Sequence, residues 1–129
     1  MESKTLETLT QAVMEKVFVP LEASGRHVHV TREQALTLFG HDLTEKRALS
    51  QPGQYLAKER VTIAGPKGEF ANVAVLGPER KAGQVEVSLT DARHLGVDAP
   101  VRLSGDVKGT PGILLRGNAG CVTLQEGVM

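Results

Sequence analysis

No apolar stretch in this chain runs far before a glycine- or proline-bearing turn interrupts it. Gly65-Pro66-Lys67-Gly68 and Gly117-Asn118-Ala119-Gly120 each separate two short alternating segments, and Pro52-Gly53 breaks a third region. Such punctuation, with fourteen glycines and six prolines but only three phenylalanines and one tyrosine, favours many short strands and tight turns over a helical bundle. Strand character falls on 19–23, 26–30, 61–63, 71–76, 84–89, 100–103, 113–116 and 121–124, with hairpins across the two four-residue turns. The expected fold is mainly β: a small closed barrel of about six strands, because closure removes exposed edges. A chain of 129 residues suffices for one such domain, over 19–129.

Three helices interrupt the pattern. Thr31 and Gln34 match a capping box ahead of a short helix over 32–39, which Gly40 stops. Thr90 is placed to cap a helix over 91–95, ended by Gly96. Before the β-rich region, Leu6, Leu9, Val13 and Val17 recur at helical spacing among polar residues, which predicts an amphipathic helix over 3–18, within an N-terminal segment 1–18. It ends ahead of Val19-Pro20, since a residue before proline avoids helical geometry. An isolated helix of that length is marginal in water, so it docks either on its own domain or on a partner protein.

Composition excludes several roles. Formal net charge is zero and no basic patch with stacking aromatics is present, so no nucleic-acid partner is expected. No apolar run approaches a membrane span, and residues 1–18 lack the h-region of a signal peptide. Cys121 is the only cysteine, which rules out an intrachain disulfide, fits a reducing cytoplasm, and reads as a small buried hydrophobe.

The chemistry concentrates in Arg26-His27-Val28-His29. In a strand, His27 and His29 share one face and Val28 and Val30 the other, so the two imidazoles can share a metal ion such as zinc. Glu86, on the polar side of the 84–89 strand, can add a carboxylate oxygen, and two His with one Glu leave a fourth zinc position open. The ordinary alternatives are histidines hydrogen-bonded in a core and a solvated strand carboxylate. Gly77-Pro78-Glu79-Arg80-Lys81 places adjacent cations on a turn; Arg80 can clamp a phosphate, with Lys81 adding charge, or the turn is simply charged. His41 and His94 read as surface residues.

These segments occur in a familiar order. Arg26-His27-Val28-His29, Leu49-Ser50-Gln51-Pro52-Gly53-Gln54, Leu76-Gly77-Pro78, Arg80-Lys81, Gln84-Val85-Glu86-Val87-Ser88, Ser104-Gly105-Asp106 and Gly109-Thr110-Pro111-Gly112 together resemble the PduL-type phosphate propanoyltransferases, the phosphotransacylases of bacterial microcompartments. The resemblance runs over 19–128. It implies reversible conversion of propanoyl-CoA or acetyl-CoA plus phosphate to acyl phosphate plus coenzyme A, in a setting such as propanediol degradation. It further implies zinc on His27, His29 and Glu86, phosphate on Arg80, and a cytoplasmic location inside a microcompartment. By the same resemblance, residues 3–18 would be an encapsulation helix that meets shell or core proteins.

The chain departs from that family in two ways. Gly83 stands where the family usually has Thr. The family enzyme carries two similar barrels, and this chain resembles the first; the second supplies histidines of a two-zinc site and part of the coenzyme A surface. The expectation is therefore self-association through the surface that meets the second barrel. The alternative to an enzyme is a non-catalytic, half-length structural component of the compartment lumen.

Overall fold

Alternating apolar residues and the turns between them produce seven strands and two short helices in the computed structural model, which describes residues 25–129. The expected helix over 3–18 and strand over 19–23 lie outside the described residues. The strands are β1 (His27–His29), β2 (Glu45–Ala48), β3 (Tyr55–Ala64), β4 (Glu69–Gly77), β5 (Gln84–Glu86), β6 (Ile113–Arg116) and β7 (Cys121–Leu124). The helices are α1 (Arg32–Phe39) and α2 (Leu89–Leu95).

Across the sheet the order is β5-β1-β4-β3-β6-β7, and β2 pairs with the opening residues of β3. Strand β1 runs parallel to β4; the other pairs are antiparallel. Two register shifts between β3 and β4 supply the local bends that curl the sheet. Its two ends are joined by the terminal residues. Val85 N–H donates to Gly127 O (2.8 Å), Met129 N–H to Val85 O (2.9 Å), and Val128 N–H to Pro111 O just ahead of β6 (3.0 Å). The mainly β expectation holds.

Inside the curl lie Val28, Val75, Val85, Ile63, Leu115 and Val128, all at most 2 % exposed. Leu38 of α1 and Leu95 of α2, both fully buried, cover this core. Each such leucine contributes about 1.5–3 kcal/mol by leaving water. The α1 capping box forms as predicted: Gln34 N–H donates to Thr31 Oγ1 (3.0 Å), and Thr31 N–H donates to Gln34 Oε1 (2.9 Å).

Three expectations are corrected. Helix α2 starts earlier, because Ser88 rather than Thr90 is the N-cap: extended at ψ 165, it accepts the Asp91 N–H at 3.0 Å. Residues 100–103 form no strand; Pro100 brings no N–H to a ladder, and Val101 and Leu103 are 90 % and 84 % exposed. Cys121 is exposed, because on β7 Leu124 takes the inward position and period-two alternation turns Cys121 and Thr123 outward. His41 and His94 are exposed, as expected.

The two predicted hairpin turns each do a second job. Lys67 N–H, at the tip of the β3–β4 hairpin, donates to Leu95 O of α2 (3.0 Å), and Ala119 N–H, at the tip of the β6–β7 hairpin, donates to Leu38 O of α1 (2.9 Å). Each tip satisfies a carbonyl that a helix end leaves without an intrahelical partner. The approach is close enough to need glycine: a Cβ on Gly65 would lie 2.2 Å from Leu95 O, and one on Gly117 2.3 Å from Leu38 O. Gly65→Ala and Gly117→Ala should each destabilise by about 1–3 kcal/mol in urea unfolding. Gly25→Ala, with nothing among the described residues within 4 Å of its Cβ, should stay within about 0.5 kcal/mol of the parent.

Candidate metal centre

Antiparallel pairing of β1 with β5 sets His27 opposite Glu86, Val28 opposite Val85 and His29 opposite Gln84. Directly opposed residues share a face, so Val28 and Val85 enter the core while His27, His29, Glu86 and Gln84 form a polar quartet on the other side. The imidazole centroids are 5.0 Å apart and nearly perpendicular. Glu86 Oε2 lies 3.3 Å from His27 Nε2 and 3.8 Å from His29 Nε2. One donor atom from each of the three residues falls within 4.8 Å of the others.

That spacing suits a small ion. Two ligands about 2.1 Å from a tetrahedral zinc stand about 3.4 Å apart, close to the carboxylate–imidazole separations here. His27 Nδ1 lies 3.0 Å from Gly25 O. Donation of Nδ1–H to that carbonyl leaves the Nε2 lone pair facing Glu86, the tautomer a metal-binding histidine requires. His29 Nδ1 is buried without a hydrogen-bond partner among the described residues. The donor set, two neutral nitrogens and one carboxylate, therefore fits zinc, with room for an outside ligand on the partly exposed Glu86 side.

Electrostatics differ between the two histidines. Burial works against charge on His27, but contact with the Glu86 carboxylate and the Gly25 carbonyl outweighs it and raises its pKa. The same His27 contact, opposed by burial, holds Glu86 below the usual carboxylate value. Burial, reinforced by the charges of Arg80 and His27, lowers His29 to about 4. Beside Glu86, His27 thus holds a proton more readily than a free imidazole, and His29 less readily.

Arg80 reaches this site from the turn after β4. Its backbone N–H donates to Val30 O (2.8 Å), and its Nη1 donates to Ser104 Oγ (3.0 Å). Lys81 is exposed and shares a cleft with Arg32, Glu79 and Arg80. Two participants were not singled out by sequence reasoning: Gln84 and Ser104. Gln84 Nε2 donates to Glu86 Oε2 and to Ser104 Oγ (3.1 Å), and Gly105 N–H donates to Gln84 Oε1 (2.7 Å). Both residues sit inside motifs already noted, yet strand alternation alone assigns Gln84 only a face. The loop that covers it comes from 20 residues downstream.

Residues 20–129 match the phosphate propanoyltransferase family. The chain belongs to that family. It is 56 % identical over 111 residues to a phosphate propanoyltransferase of Enterococcus faecalis, covering 84 % of this chain and 53 % of the relative. Against the Citrobacter rodentium phosphate propanoyltransferase, identity is 50 % over 133 residues, covering 100 % of this chain and 63 % of the relative. The Thermotoga maritima phosphate propanoyltransferase is 57 % identical over 108 residues, 82 % of this chain and 51 % of that one. The chain thus spans between half and two-thirds of the length of these family members. Among the described residues, no helix is long and apolar enough to cross a membrane.

The depressed His29 pKa has a measurable consequence in this family member. Folding excludes a proton that the unfolded imidazole binds below about pH 6.5. Stability falls wherever the unfolded state binds more protons and pH drops, so metal-free protein should lose on the order of 3 kcal/mol through His29 between about pH 6.5 and pH 4. The raised His27 acts oppositely, its contribution fully present below its unfolded pKa and lost as pH rises through its folded one. Urea unfolding in chelator, wild type against His29→Gln, isolates the first effect. A pH slope unchanged by the substitution would show that His29 is not held neutral.

Proposed function

We propose that this chain serves phosphate-dependent acyl transfer between coenzyme A and inorganic phosphate, with propanoyl-CoA or acetyl-CoA as the acyl donor. A phosphate oxygen attacks the thioester carbonyl carbon; the C–O bond forms, the C–S bond breaks with its electron pair on sulfur, and the coenzyme A thiolate takes up a proton. The observation that supports this most is the convergence of His27, His29 and Glu86 within 4.8 Å, with Arg80 tied to them through Ser104 and Gln84, inside the family match.

His27, His29 and Glu86 are the residues that would hold zinc. When bound, zinc would supply a Lewis acid for an oxygen of phosphate or of the thioester carbonyl. Arg80 offers the planar fork that binds phosphate through paired N–H groups, and Lys81 adds positive charge along the same cleft. The buried histidine side of the site excludes water, while the Glu86 side admits substrate. Methyl and ethyl acyl groups differ by one methylene, worth only about 1–3 kcal/mol, so both fit this reading.

The setting we propose is the lumen of a bacterial microcompartment in the cytoplasm, with residues 3–18 as the helix that meets shell or core proteins. Exposed Val101 and Leu103 supply apolar surface for self-association. Deleting residues 1–18 should leave urea unfolding unchanged while the protein no longer cosediments with microcompartments. Loss of folding on deletion would instead make the segment part of the core.

The decisive assay is phosphate-dependent thiol release from propanoyl-CoA by the 129-residue chain with zinc supplied. Release should require phosphate and rise more than linearly with protein concentration. Arg80→Ala should lower kcat/KM for phosphate by about 10²–10³. His29→Ala with Glu86→Ala should remove the single bound zinc, read by elemental analysis. Absence of release at every concentration would overturn the catalytic reading and leave a structural member of the compartment.

A further inference from the structure

Gln84 is the least exposed polar side chain among the described residues, at 1 %. Burying a primary amide is costly unless its donors and acceptor are satisfied. Here they are. Oε1 accepts the Gly105 N–H, which settles the amide orientation, since the opposite assignment would set two donors against each other. Nε2 then divides its two hydrogens between Glu86 Oε2 and Ser104 Oγ. The Ser104 hydroxyl in turn receives Arg80 Nη1. A residue needed only to fill this space would match its neighbour Val85, which is equally buried and apolar.

We infer that Gln84 is a positioning residue that fixes the Glu86 carboxylate for metal ligation and ties it, through the Ser104–Gly105 turn, to the Arg80 guanidinium. The physical reason is geometric. Glu86 reaches the histidines from a strand end with a side chain that is 35 % exposed and has three free torsions. Charge-assisted donation from a buried amide holds one oxygen, Oε2, and this is the oxygen nearest both imidazoles. The same amide spans the gap to the turn that holds Arg80, so metal side and anion side share one rigid link. Partners of ligating carboxylates commonly change metal affinity by about 10–100-fold when removed.

The inference rests on the zinc reading above, and the test separates the two. Zinc dissociation constants of the 129-residue protein are measured by chelator competition for wild type, Gln84→Leu, Gln84→Met and Val85→Ala. Urea unfolding of each metal-free form runs alongside. Val85→Ala damages the same strand from its core face without touching the carboxylate. Weakening by about 10–100-fold in both Gln84 variants, with Val85→Ala within about twofold of wild type, is the expected result. Wild-type affinity in the Gln84 variants would overturn the positioning role and leave the zinc site standing. Equal weakening in Val85→Ala would reduce Gln84 to a packing residue, and a wild type that takes up no zinc would overturn the metal reading and this inference with it. Should the Gln84 variants fail to fold, side-chain amide NMR of the wild type decides. Slowly exchanging Gln84 Nε2 protons that shift on zinc addition support the role, and fast exchange without a shift overturns it.

Discussion

The antiparallel register of β1 against β5 governs both the core and the site. Three residue pairs carry it: His27 with Glu86, Val28 with Val85, His29 with Gln84. Because side chains alternate with period two, a slip by one residue would turn Val85 toward the histidines and Glu86 toward the core. Such a slip would bury a carboxylate among Ile63, Val75 and Leu115, at a cost far beyond one lost contact. Hydrophobic packing thus enforces the pairing that assembles the polar quartet.

Electrostatics act on that scaffold as well. Two buried imidazoles 5.0 Å apart would repel if both were protonated. Burial disfavours charge on both rings, but Glu86 and Gly25 O outweigh it at His27, whereas Arg80 reinforces it at His29. One donor atom of each of His27, His29 and Glu86 stands within 4.8 Å of the others.

Local signals were legible wherever the chemistry was local. The α1 capping box, its Gly40 stop and both glycine-flanked hairpin turns were readable because each depends on residues within a few positions of one another. The His27–His29–Glu86 grouping was half legible: alternation put the histidines on one face, while their meeting with Glu86 needed the motif order as well as the pattern. What escaped was set by tertiary contact. Ser88 and Thr90 both belong to the residue types that cap helices, and Ser88 takes the role. Residues 100–103 carry strand-like valine and leucine, yet among the described residues no strand pairs with them. Gln84 and Ser104 lie 20 residues apart, and nothing in either segment announces that one covers the other.

Residues 127–129 link the curl of the sheet to the site. Strand β5 has only three residues, too short to hold a fixed position by pairing on one edge. Its outer edge is taken by Gly127–Met129, whose backbone groups engage Val85 and Val87, while Val128 also bonds to Pro111 ahead of β6. Glu86 therefore sits on a strand clamped from both sides, between the histidine strand and the segment that joins the two ends of the sheet. Loosening that segment would free β5 on one edge and let the carboxylate drift from the imidazoles, although Gly127–Met129 provide no ligand. The pairing of residues 127–129 and the geometry of the candidate metal centre thus meet on opposite edges of β5.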